Sequence, residues 1–121
     1  MRGFLIDVVK GTAQVVECEN DLHAWYKLLN CDIVEMPERQ IKGKYYTFIC
    51  DEEGLLKNNP IVSAINENME PMLYGNLLIF NIDSENCDIA DLTDEDIEVI
   101  KSNIYTMIDT KLHQILANVE Y

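Results

Sequence analysis

From Leu77 to Ile82 the chain is almost continuously apolar. The run is too short for an ordinary helix and does not alternate, which fits a strand buried at the centre of a sheet. A second run, Tyr45 to Cys50, is dense in aromatic and β-branched residues and reads as the clearest strand of the chain. Other segments follow as sheet partners. Phe4 to Val9 and Thr12 to Cys18 flank the turn pair Lys10-Gly11 and predict an antiparallel hairpin. Asp32 to Glu35 is a short strand limited by Pro37, and Lys42-Gly43-Lys44 is a hairpin turn leading into Tyr45. Asp51-Glu52-Glu53-Gly54 is a turn, with Leu55 and Leu56 resuming the pairing beyond it.

Two helices are expected. Asn20 or Asp21 caps the first, in which Leu22, Trp25, Tyr26 and Leu29 recur at helical spacing and Asn30 closes the end. Thr93 caps the second, with Asp94, Glu95 and Asp96 in the turn where the helix dipole favours anions, and Thr93 with Asp96 forms an approximate capping box. Ile97, Ile100, Ile104, Met107, Ile108, Leu112 and Ile115 keep helical spacing, so the helix is predicted to run from 94 to about 118. Residues 57–72, rich in Asn and Pro, are expected to be irregular with one helical turn at Val62 to Ile65, and Asp83 to Asp91 to be an acidic linker. The expected fold class is α+β: one domain over residues 1–121, with a mostly antiparallel sheet of about five to six strands, one short helix and one long C-terminal helix. Residues 104–121 would be a helical extension available for a homodimer.

Charge narrows the functions. There are 22 acidic and 9 basic residues, a net charge of −13, and residues 58–100 hold ten acids and no base. A field of one sign repels nucleic acid and anionic membranes and attracts basic surfaces. No apolar stretch approaches the roughly 20 residues that span a bilayer, and Asp7 interrupts the N-terminal apolar segment too early for a signal peptide, so a cytoplasmic location is expected. Cys18, Cys31, Cys50 and Cys87 are too widely spaced for a zinc motif and are read as free thiols.

Motifs for catalysis are missing from the pattern. The five glycines are scattered singly and form no phosphate-binding loop, and no Gly-x-Ser-x-Gly elbow occurs. His23 and His113 stand in no metal or triad motif, and Asp51, Glu52 and Glu53 read as a solvated turn. Neither an enzymatic activity nor a cofactor is expected. Arg39, Lys42, Lys44, Tyr45 and Tyr46 form the one basic, aromatic patch, which otherwise reads as an edge hairpin guarded by lysines.

The segment Tyr46-Thr47-Phe48-Ile49-Cys50-Asp51-Glu52-Glu53-Gly54-Leu55-Leu56 resembles an uncharacterised family of small acidic domains carried by bacteriophages, conjugative elements and their bacterial hosts. Asn59-Pro60, Leu73-Tyr74-Gly75-Asn76-Leu77-Leu78-Ile79 and Leu92-Thr93-Asp94-Glu95-Asp96 extend the resemblance over about residues 2 to 104. It implies an α+β fold and a mobile-element setting, and it hands over no activity and no catalytic residues. The family domain ends soon after its final helix begins, whereas here an apolar helical face continues through Ile115.

The leading expectation is a non-enzymatic accessory protein that binds and inhibits a host protein with a basic surface, such as a nucleic-acid-handling defence factor. Asp83, Glu85, Asp88, Asp91, Glu95 and Glu98 are the candidate contacts. The alternatives are a binder of a small ligand such as a signalling nucleotide, using Arg39, Lys44, Tyr45 and Tyr46, and a structural dimer built through the long helix.

Overall fold

Eleven strands and two short helices make up the residues described by the computed structural model, 1–54, 60–108 and 113–120. The N-terminal hairpin pairs β1 (Arg2–Asp7) with β2 (Thr12–Glu17). Helix α1 (Leu22–Leu29) follows, with the Asp21 carboxylate accepting from His23 N and Ala24 N and Asn30 taking the left-handed conformation at its end. β3 (Val34–Glu35) and β4 (Glu38–Ile41) both pair with β5 (Lys44–Asp51). The β4–β5 turn is the residue pair Lys42-Gly43, both at positive φ, the geometry that suits a two-residue hairpin loop.

The second half carries β6 (Val62–Ile65), β7 (Pro71–Tyr74), β8 (Leu77–Asp83), β9 (Asp88–Ala90), helix α2 (Asp94–Ser102), β10 (Ile104–Ile108) and β11 (His113–Asn118). One sheet has seven strands, ordered β2-β1-β8-β5-β3, with β4 added on β5 and β9 on β8. The other has four, ordered β10-β11-β6-β7, with β11 and β6 parallel.

β8 is the strand expected from the Leu77 to Ile82 run, and its position explains that run. Leu77 and Ile79 join Phe4, Ile6, Phe48 and Ile115 in the core shared with the four-stranded sheet and α2. Leu78 and Phe80 join Leu5, Trp25, Leu29 and Ile49 in a second core beneath α1. A strand buried on both faces has no reason to alternate.

The expected fold class needs correction: the described residues are mostly β, eleven strands against two short helices, and the helix expected to run to about 118 ends at Ser102. The start of α2 is as predicted, because the capping box is complete. Its end is not. Asn103 Nδ2 donates to Val99 O at 2.8 Å, the Asn103 amide closes onto Ile100 O, and the chain then leaves as the β10–β11 hairpin. Ile104, Thr106 and Ile108 are β-branched, so the segment meets a two-residue period as well as a helical one. The helical extension and the dimer built on it lose their structural basis. Val62 to Ile65 is a strand rather than a helical turn, and the supposed linker Asp83 to Asp91 contains β9. The sheet of five to six strands is a sheet of seven accompanied by a second one. Leu55, Leu56 and Leu112 lie outside the described residues.

Candidate functional site

The β5–β8 ladder runs from Cys50↔Leu77 to Thr47↔Phe80 and stops there. Beyond that point Lys44–Tyr46 continue in β5 against β4, and Asn81–Asp83 continue in β8 against β9. Asp96 of α2 holds the two diverging ends from below. Its Oδ1 accepts from Lys44 Nζ at 2.8 Å and from Tyr46 Oη at 2.9 Å. Its Oδ2 accepts from Asn81 Nδ2 at 3.0 Å and from the amide and hydroxyl of Thr93, both at 2.9 Å. Burial would raise the pKa of this carboxyl, but the hydrogen bonds from Lys44, Thr93 and Tyr46 outweigh it and bring it down to about 2. The Tyr46 phenol is pushed well above its ordinary range, first by burial and then by the Asp96 carboxylate. Lys44 also lies 5.4 Å from the Tyr46 ring centroid, a cation–π distance.

Where the two strands part lies a groove of about 590 Å³, with Lys44 and Asn81 themselves in its lining. Tyr45, Thr47, Ile82 and Ile89 line it from three strands, and Met36 stands beside it. Glu38 and Asp88 add carboxylates, and Ser84 and Cys87 come from the β8–β9 turn. Met36 and Tyr45 are among the exposed large apolar side chains of the protein.

The candidate acids take several roles. Asp83 caps the β8–β9 turn, accepting from the amides of Glu85 and Asn86 and from Asn86 Nδ2, which lower its pKa. Asp88 accepts from its neighbour's amide, Ile89 N, at 2.7 Å and more distantly from Asn20 Nδ2. Asp91 accepts from the Arg2 amide at 2.9 Å, and the Arg2 guanidinium pairs with Asp94 at 2.8 Å. Glu85, Glu95 and Glu98 are exposed. Asp83 to Glu98 thus divide among a turn cap, strand-end ties, an interior anchor at Asp96 and an exposed remainder.

The four residues of the small-ligand alternative do not converge. Lys44 and Tyr45 line the groove, Tyr46 is buried against Asp96, and Arg39 is half-buried with its guanidinium donating to Glu38 O at 2.8 Å. His23 is exposed, with its ring edge-on to Tyr26. His113 begins β11. The four cysteines are thiols outside any disulfide: Cys31 and Cys50 are buried, Cys18 is half-buried and Cys87 is exposed. Burial, followed by the nearby Glu35 carboxylate, pushes the Cys50 thiol far up, away from nucleophilic chemistry. Among the described residues no group of three or more His, Cys, Asp or Glu side chains is placed to hold a metal ion, and no helix is long and apolar enough to cross a membrane.

Met36, Thr47, Ile82, Cys87 and Ile89 are site residues that sequence reasoning did not single out. Each looks like an ordinary strand or loop residue, and only the point where β5 and β8 part brings them together.

Fold and groove together define a mostly β, two-sheet protein with an acid-rimmed apolar depression where two strands of its larger sheet part. The chain belongs to the DUF3846 family, a domain of unknown function, which matches residues 1–105. No curated protein and no solved structure matches it. The family match stops at the start of β10, while Ile115, Ala117 and Val119 beyond it are buried in the main core.

Proposed function

We propose that the protein is a non-enzymatic binding protein that engages a basic surface of another protein through the groove and the acidic residues beside it. The carrying observation is the make-up of that groove: an apolar floor of Tyr45, Ile82 and Ile89 bordered by Glu38 and Asp88. Protein interfaces share this anatomy, with an apolar centre and a charged rim. Lys44, the cation in the groove lining, is paired with Asp96, which ties its ammonium at that carboxylate. Exposed Glu85, Glu95 and Glu98 add to a field that draws a basic partner in over long range.

A basic surface is what nucleic-acid-handling factors present. An accessory protein of a phage or mobile element that inhibits such a host defence factor is the physiological role that fits the charge and the family setting implied by the sequence resemblance. The small-ligand alternative has less support, because the polar groups of Lys44 and Tyr46 are turned to Asp96.

The test is capture from bacterial host extract on the immobilised chain, comparing wild type with the double variant Glu38→Lys/Asp88→Lys. A partner held at low salt should be lost on charge reversal and released by added salt. Retention indifferent to both charge reversal and salt overturns the proposal.

A further inference from the structure

Where β5 and β8 part, each strand has, among the described residues, a partner on one side only. Lys44–Tyr46 pair with β4, and Asn81–Asp83 pair with β9. The chain leaving β9 returns to β1, where Asp91 takes the Arg2 amide and Leu92 N donates to Arg2 O. That places β9 on the β1 side of β8 and leaves the other side of Asn81–Asp83 facing the groove. The Ile82 amide donates to the side-chain oxygen of Asn81 at 3.0 Å. A side chain answers a strand amide in this way when no strand lies across from it. The two strands therefore offer open edges at the same place, and an open strand edge is a template for pairing.

The surroundings select what pairs. Side chains on one face of an added strand recur about every 7 Å, so an apolar residue on the floor has neighbours of the same face reaching to either side. Glu38 on β4 and Asp88 on β9 flank the floor from opposite strands. Lys44, the cation lining the groove, is held at 2.8 Å by Asp96.

We propose that the groove accepts an extended, cationic segment of a partner protein as an added strand. Its main chain pairs near Tyr45 and Ile82, an apolar side chain rests on Ile82 and Ile89, and flanking Lys or Arg side chains meet Glu38 and Asp88. This rests on the binding role proposed above and gives that partner's contact segment its conformation and charge. Main-chain pairing supplies affinity, and alternate side chains supply selectivity.

The experiment uses an acetylated, amidated Lys-Thr-Val-Thr-Lys peptide (the Lys-Val peptide), which puts Lys, Val and Lys on one face of an extended strand, titrated into the full isotope-labelled chain and followed by amide resonances. Two controls share its length: the same peptide N-methylated at alternate amides, and a Glu-Val peptide. The Lys-Val peptide should shift the Tyr45, Thr47, Ile82 and Ile89 amides and slow exchange at Ile82. N-methylation should weaken it by about tenfold or more, and the Glu-Val peptide should leave the spectrum unchanged. If the N-methylated peptide binds as tightly as its parent, strand addition is overturned while the charge-based binding role stands. If the Lys-Val peptide shifts nothing, or shifts residues away from the groove, both are overturned.

Discussion

The Tyr46 hydroxyl donates a 2.9 Å hydrogen bond to Asp96, a carboxylate fifty residues further along the chain. With the Lys44 ammonium on the same oxygen, this contact fastens α2 beneath the parting ends of β5 and β8. Tyr46→Phe removes one charge-assisted hydrogen bond and should cost about 2 kcal/mol. Asp96→Asn disturbs the whole set of donors and should cost more, about 3 kcal/mol. Urea unfolding of both variants checks the order as well as the sizes.

Asp96 also sets a pH dependence. Its pKa falls from 3.8 to about 2 on folding, so the carboxylate stabilises the fold above pH 4 and loses that contribution as pH falls towards 2. The amount at stake is about 2 kcal/mol. The stability difference between wild type and Asp96→Asn should stay flat from neutral pH to about pH 4 and shrink by that amount below it. Urea midpoints measured from pH 6 to pH 2 would show the narrowing; a constant gap contradicts it.

Gly3→Ala tests how tightly β1 lies over β8. A Cβ at Gly3 would sit 2.7 Å and 2.9 Å from two ring carbons of Phe80 and 3.1 Å from Ile79 O. Phe80 is fully buried and has little room to yield. The cost should be about 2 kcal/mol, within the range for overpacking a filled core. Thermal unfolding reads it.

The part of the core beyond the family match makes its own prediction. Val119 is 1% exposed, and its amide donates to Ile65 O at 2.9 Å. Val119→Ala should cost about 2 kcal/mol through lost burial and the cavity left behind. Val9→Ala, at a residue 79% exposed, should stay within about 0.5 kcal/mol. Equal effects in a denaturation series would mean that Val119, just beyond β11, does not pack as described.

The N-terminal hairpin, α1, the Lys42-Gly43 turn, β8 and the start of α2 were legible because each carries a local signal, a turn residue, a cap or a period, although the first hairpin closes at Asp7 and Thr12 and turns through the four residues Val8 to Gly11 rather than through Lys10-Gly11 alone. The end of α2 had none, since the apolar residues after Ser102 suit a strand and a helix alike and only docking against β6 decides between them. β9 was hidden because Asp88 and Ala90 are poor strand formers, and it exists through Ile89, which packs into the core beneath α1. Charge pointed correctly to an acid-rich region, but not to the interior use of Asp96, whose buried site depends on Tyr46 and Asn81 arriving from distant segments. Tyr46 looked like a ligand contact for the same reason: sequence cannot say which face of β5 turns inward at its end.

The position of β11 between β10 and β6 bears on how the molecule comes into being. During synthesis β6 and β7 leave the ribosome long before the strand that must lie beside β6. Until it arrives, the nascent chain carries a bare strand edge and uncovered Ala64, Ile65 and Leu73, the surface on which unfinished chains stick to one another or recruit chaperones.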